Sequence, residues 1–197
     1  MKTLPVHVKG RLATLPWFFS EEWSAGRYLK GGTCLPTHII RIAEALSGKP
    51  PDRAWKTLGK HTSYYGVTLQ QLFDAVRKRM DTELVALKCD HVYDALDLLM
   101  RGIPSVLIVD SRAGCPVCNR ETGVVPWGYI EQETLEENKH RRYHSFAVVG
   151  WDGGAGYNHL IVQENRSDYG VNGYYKLPVG ALMQNKQFGR FIGIAAH

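Results

Sequence analysis

Apolar residues recur at helical spacing in GGTCLPTHIIRIAEAL, where Leu35, Ile39, Ile42 and Leu46 form one stripe and predict an amphipathic helix. Thr33 is placed to cap it, Pro36 falls in the tolerant first turn, and Gly48 with Pro50-Pro51 marks its stop. A second helix is predicted in TLQQLFDAVRKRM, with Thr68 as its cap and Leu69, Leu72, Phe73 and Val76 as its buried stripe. ELVALKC then reads as a short strand, HVYDALDLLMRG as a helix ending at Gly102, and IPSVLIVDS as a buried strand. Downstream the character changes to strands: HSFAVVGWD, HLIVQEN, GYYKLP and FIGIAA, the first two pairing as a hairpin across a GWDGG turn. The first thirty residues, broken by Pro5, Gly10, Pro16 and Gly26, read as irregular chain pinned by Trp17, Phe18, Phe19 and Trp23. Helices first and strands second predict an α+β chain, with a cleft between a mainly helical lobe and a mainly β lobe.

Composition narrows the class of partner. The chain has 197 residues, 44% hydrophobic and 22% charged, which suits one domain over 1–197, with lobes of about 1–100 and 101–197. The net charge of +5 is spread along the chain without an RNA- or DNA-binding signature, so no nucleic-acid partner is expected. No stretch approaches the roughly 20 apolar residues of a membrane span, and no membrane partner is expected. Prolines and charges interrupt the N-terminus before a Sec-type signal could form, so the chain is expected to be cytoplasmic on synthesis. Four cysteines are too few and too unevenly placed for a disulfide framework.

The chemistry-bearing residues sit where elements begin. Cys34 falls on the first helical residue, where unpaired N–H groups and the helix dipole favour a thiolate. Such cysteines reach pKa values of roughly 3.5–7.5, most strongly beside a histidinium. His144 opens an apolar strand far downstream, a position that equally suits a structural histidine. If the next strand pairs with it, Gln163-Glu164-Asn165 brings a side-chain acceptor alongside, the third member a cysteine–histidine site needs. His38 stands one turn after Cys34 on the same helix face. His61, His91 and His159 have no paired partner in sequence and read as structural or exposed. Cys115 and Cys118, in GCPVCNRETG, make half of a zinc site; a plain loop, a disulfide and a redox pair remain open as alternatives. The run Glu131 to Arg142 reads as a solvated segment whose basic end adjoins His144.

Taken together, GGTC at a helix start, ALDLLMRGIPSVLIVDS, HSFAVVGWD and ENRSDYGVNGYYKLP resemble, in order, the segments of papain-like cysteine peptidases. The resemblance spans about Gly31 to Leu177 and is concentrated in those patches. It implies a papain-like α+β fold, with Cys34 as nucleophile, His144 as general base and acid, and Asn165 orienting the ring. Tyr169-Gly170 and Gly173-Tyr174 correspond to the family's later Trp-Gly and Gly-Tyr pairs. Gly66 matches the substrate-holding glycine turn loosely. Two positions depart from the pattern. Tyr28 stands where the family has its oxyanion-hole glutamine, leaving Tyr28 and the Cys34 N–H as candidate donors. Arg166-Ser167 replaces the aromatic that shields the family's asparagine, which makes Glu164 a rival third member.

The implied activity is hydrolysis of peptide or amide bonds in a protein or peptide substrate, through a thioester and without a cofactor. The family's disulfides have no counterparts and no pro-segment precedes the cysteine, which fits an exported effector or toxin better than a lysosomal zymogen. The same chemistry serves a deamidase, amidase or transglutaminase, and the missing glutamine suits a catalytically inactive binding module of the same fold.

Overall fold

A computed structural model describes residues 1–16, 34–48, 68–110, 143–154, 157–163, 174–180 and 189–197. Among the described residues, three helices form where the apolar stripes predict them. The first, α1 (Cys34–Ser47), buries Ile39, Ile42 and Leu46 together with Ile40 and Ala43. Its stop is Gly48, whose φ of 66° is the left-handed conformation that glycine adopts without penalty, and whose N–H donates to the Glu44 carbonyl at 2.9 Å.

The second helix, α2 (Leu69–Met80), begins with the expected capping box. The Thr68 hydroxyl accepts from the Gln71 N–H at 3.2 Å while the Thr68 N–H donates to Gln71 Oε1 at 2.9 Å. The third, α3 (Val92–Met100), is started by Asp94, whose carboxylate accepts from the N–H groups of Asp90 and His91 at 2.7 and 2.8 Å. Among the described residues no helix is long and apolar enough to cross a membrane.

The strands are β1 (His7–Lys9), β2 (Leu12–Thr14), β3 (Leu84–Cys89), β4 (Ser105–Asp110), β5 (Tyr143–Gly154), β6 (Tyr157–Gln163), β7 (Tyr174–Pro178) and β8 (Gly189–Ala196). They form one antiparallel sheet in the order β1-β2-β5-β4-β8-β3, with β6 on β5 and β7 on β6. The observed class is therefore the predicted α+β, and the sheet draws strands from both halves of the chain. Two expectations are corrected. Residues 7–14 are a small hairpin and not irregular chain. GWDGG is strand and not turn, because β5 runs on to Gly154 and its last pair with β6 is Gly154↔Tyr157.

Successive strand residues point to opposite faces, and the core divides accordingly. Leu107 and Ala195 pack on the α3 side with Phe146, Val148 and Leu160, whereas their neighbours Val106, Ile194 and Ala196 pack under α1 and α2.

The long β5 is shared between neighbours. Tyr143–Val148 pair with β4, Gly150–Asp152 pair with β2, and Ala147–Gly154 pair with β6, across a bulge between Val148 and Gly150. Gly150 is needed there, since a Cβ would stand 2.9 Å from the Ala13 carbonyl oxygen of β2. Because β6 overlaps both other partners it must hold the opposite edge. On that edge the ladder with β6 begins at Ala147.

Candidate active site

Cys34 is the first residue of α1 and His144 the second residue of β5, where it lies opposite Val109 of β4. The helix start leaves its first N–H groups without intrahelical partners, so the backbone at Cys34 offers donors and the positive end of the dipole. His38 links the two elements by a hydrogen bond. Its ring is fully buried, and Nε2 lies 3.1 Å from the carbonyl oxygen of Ser145. A carbonyl only accepts, so Nε2 carries the proton and donates. Helical rise places His38 about 6 Å along the axis from Cys34, and Ser145 is bonded directly to His144. The backbones at Cys34 and His144 thus lie one helical turn and one residue away from a direct contact between their elements.

The pairing of β5 with β6 begins at Ala147↔Gln163, three residues beyond His144. Gln163 ends β6 and is followed in sequence by Glu164 and Asn165. Those two residues, together with Tyr28, Gly66, Cys115 and Cys118, lie outside the described residues, as does the Thr33 cap.

Further along α1 lies a group of polar side chains that the sequence reading missed. Arg41 and Glu44 approach to 3.7 Å, with side chains only 21% and 15% exposed. Tyr174 of β7 faces the same group, and its hydroxyl accepts from Gln163 Nε2 at 3.1 Å. Burial pushes the Glu44 carboxyl up to about 7 against the opposing pull of Arg41. It also brings Arg41 down to about 10, offset by Glu44 and Tyr174, and raises the Tyr174 phenol to about 12. One sequence signal was available: Cys34, His38 and Arg41 fall at i, i+4 and i+7, a polar stripe beside the apolar one.

Other candidates have structural surroundings. Cys89 is buried at the end of β3, and burial pushes its thiol up, away from the thiolate form. His91 precedes α3, and the backbone around it is capped by Asp94. His159 pairs across the ladder with Asp152; burial lowers its pKa, and nearby Lys176 adds to the effect. Asp152 is itself held below the usual carboxylate range, first by the 2.9 Å hydrogen bond from Lys176 and further by Arg11 at 3.0 Å. These contacts fasten the β1–β2 turn, β5 and β7 together. Among the described residues no three His, Cys, Asp or Glu side chains converge as a metal ion would require.

No protein-family model matches the chain, and no curated protein matches it. Solved structures do. The chain is similar to a C39-like peptidase from Bacillus anthracis at 16% identity and a TM-score of 0.49, covering 85% of this chain and 90% of that one. It is also similar to xylellain, a cysteine protease from Xylella fastidiosa, at 17% identity and a TM-score of 0.41, over 60% of this chain. A third is procathepsin B from Trypanosoma congolense, at 18% identity and a TM-score of 0.34, over 58% of this chain. The matched parts span 42% of xylellain and 34% of the procathepsin.

Proposed function

We propose that this chain is a papain-like thiol hydrolase of peptide or amide bonds, with Cys34 as nucleophile, His144 as general base and acid, and Asn165 orienting the imidazole. The observation that carries this reading is the hydrogen bond from His38 to Ser145, which draws the helix opened by Cys34 against the strand that holds His144. Two further features support it. Cys34 sits where a helix start stabilises a thiolate. The β6 strand, paired alongside β5, leads directly into Glu164-Asn165.

In this mechanism the Cys34 thiolate attacks the carbonyl carbon of the scissile bond, and its electrons move onto the carbonyl oxygen. The Cys34 N–H, with Tyr28 as second donor, receives that developing charge. As the tetrahedral species collapses, the C–N bond breaks and His144 gives its proton to the departing amine. Water then attacks the thioester, with His144 taking the proton, and the carboxylic acid leaves as the Cys34–carbonyl bond breaks.

The test is alkylation of Cys34 by iodoacetamide near pH 6. A thiolate–imidazolium pair reacts fast there, and His144→Ala is expected to slow it by at least tenfold, since an unassisted thiol with a pKa near 8.5 is scarcely ionised at that pH. Equal rates for the native chain and His144→Ala would refute the pairing. Asn165→Ala and Glu164→Ala then decide the third member, the larger fall in kcat marking the residue that orients the ring. Profiling against peptides and against glutamine side chains separates a peptidase from a deamidase.

A further inference from the structure

We infer that His38 is a positioning residue for the proposed cysteine–histidine pair, holding the mouth of α1 at a fixed distance from β5 through its hydrogen bond to the Ser145 carbonyl. The inference rests on the proposed function and adds a residue to it.

Three observations converge. First, the bond ties residues 107 apart in sequence, between a fully buried side chain and the backbone beside His144. Second, it falls at the start of β5, before the pairing with β6 begins at Ala147↔Gln163. The ladder with β4 fixes this strand end within the sheet, and a donor from the helix fixes it from outside the sheet, just where the imidazole must be placed. Third, His38 is one turn from Cys34 on a helix whose other contacts to the sheet include the non-directional packing of Ile39 and Ile42. Apolar packing tolerates sliding by a fraction of an ångström, whereas a hydrogen bond weakens steeply once its angle or length is lost. Catalytic pairs are sensitive to displacements of about 1 Å, so a contact with modest net energy can govern reactivity.

A purely structural histidine would also be buried and bonded, so the test needs a readout that stability does not move. That readout is the pH dependence of Cys34 alkylation, measured together with thermal unfolding. In His38→Gln the amide nitrogen reaches the place of Nε2 and restores the donor; in His38→Leu the volume is kept and the donor removed. His38→Gln is expected to alkylate within about twofold of the native rate at pH 6. His38→Leu is expected to be about tenfold slower at pH 6 and to approach the native rate above pH 8.5, where a thiol ionises without help.

If both variants melt alike yet only His38→Leu loses the pH 6 rate, positioning is established. If His38→Leu keeps the native rate at pH 6 while His144→Ala loses it, the pair stands and the role of His38 falls. If His144→Ala itself keeps the native rate, the pair falls and this inference with it. Should His38→Leu not fold, His38→Asn replaces it, because its shorter amide cannot span to Ser145 and the expected loss at pH 6 is the same.

Discussion

The two faces of the sheet are covered by helices of different character. On one face α3 presents Val92, Ala95 and Leu98 to a floor of Leu107, Phe146 and Val148. On the other, α1 brings Ile39 and Ile42 but also the buried Thr37 and His38, and behind them Arg41 and Glu44. Burial of apolar area stabilises in proportion to its extent and has little directional demand. Buried polar groups stabilise only where each meets its partner, and they destabilise wherever it does not. The α3 face is therefore built to hold the sheet, and the α1 face to hold one helix in one place. Cys34 opens the helix that is so placed.

The comparison breaks most visibly at Phe146. Its ring is 2% exposed and stands edge-on to Tyr175, with centroids 5.8 Å apart and planes at 86°. Phe146→Ala leaves a cavity under α3 and is expected to cost about 3–5 kcal/mol in urea denaturation. The folded fraction should keep the native pH profile of Cys34 alkylation, because the α1 contacts are untouched. A normal stability together with a shifted profile would reverse the roles assigned to the two faces.

The next largest effect belongs to Glu44 and depends on pH. Its carboxyl titrates near the ordinary 4.5 when unfolded and at about 7 when folded. Below pH 4.5 both states hold the proton, so this group contributes no pH dependence. Between 4.5 and 7 the unfolded chain releases its proton while the folded chain keeps it, so stability falls as pH rises; above 7 the loss is constant. Glu44→Gln removes that loss and is expected to be more stable than the native chain at pH 8, with the gap closing towards pH 5. The site keeps some solvent contact, so the full conversion of about 1.4 kcal/mol per pKa unit overstates the effect, and about 1 kcal/mol at pH 8 is expected. Urea midpoints at the two pH values check it; a variant less stable at pH 8 would mean that attraction to Arg41 outweighs the burial of the carboxylate.

What the sequence made legible follows the range of the forces involved. The stripe of Ile39, Ile42 and Leu46, the Thr68–Gln71 box and the stop at Gly48 act within a turn or two of chain, and each is observed. The β1–β2 hairpin is not legible, because strands of three residues are too short to show alternation and are held by a distant partner at Gly150–Asp152. GWDGG reads as a turn for the same reason: Gly150 exists to admit β2, and nothing local says that β2 is there. Nothing local marks Arg41 and Glu44 as half-buried, and Tyr174, which interacts with Arg41, comes from the distant β7. His38 was marked by its spacing from Cys34, but its acceptor, a backbone carbonyl on another element, leaves no trace in the residue types.

An effect no larger than that at Glu44 tests whether the polar side of α1 continues into the sheet. The Tyr174 hydroxyl accepts from Gln163 Nε2, and Gln163 is 2% exposed with its Oε1 unpartnered among the described residues. Tyr174→Phe removes the acceptor and leaves the buried amide further unsatisfied, so a loss of about 1 kcal/mol is expected. Replacing both, as Tyr174→Phe with Gln163→Met, removes donor and acceptor together and should recover much of that loss, because the amide that donated to the hydroxyl is then gone with it. The double-mutant cycle in urea reads the difference. Additive single effects would show that the two side chains merely sit near each other, and that the ordered end of β6, where the chain runs on to Glu164 and Asn165, is held by the β5 and β7 ladders instead.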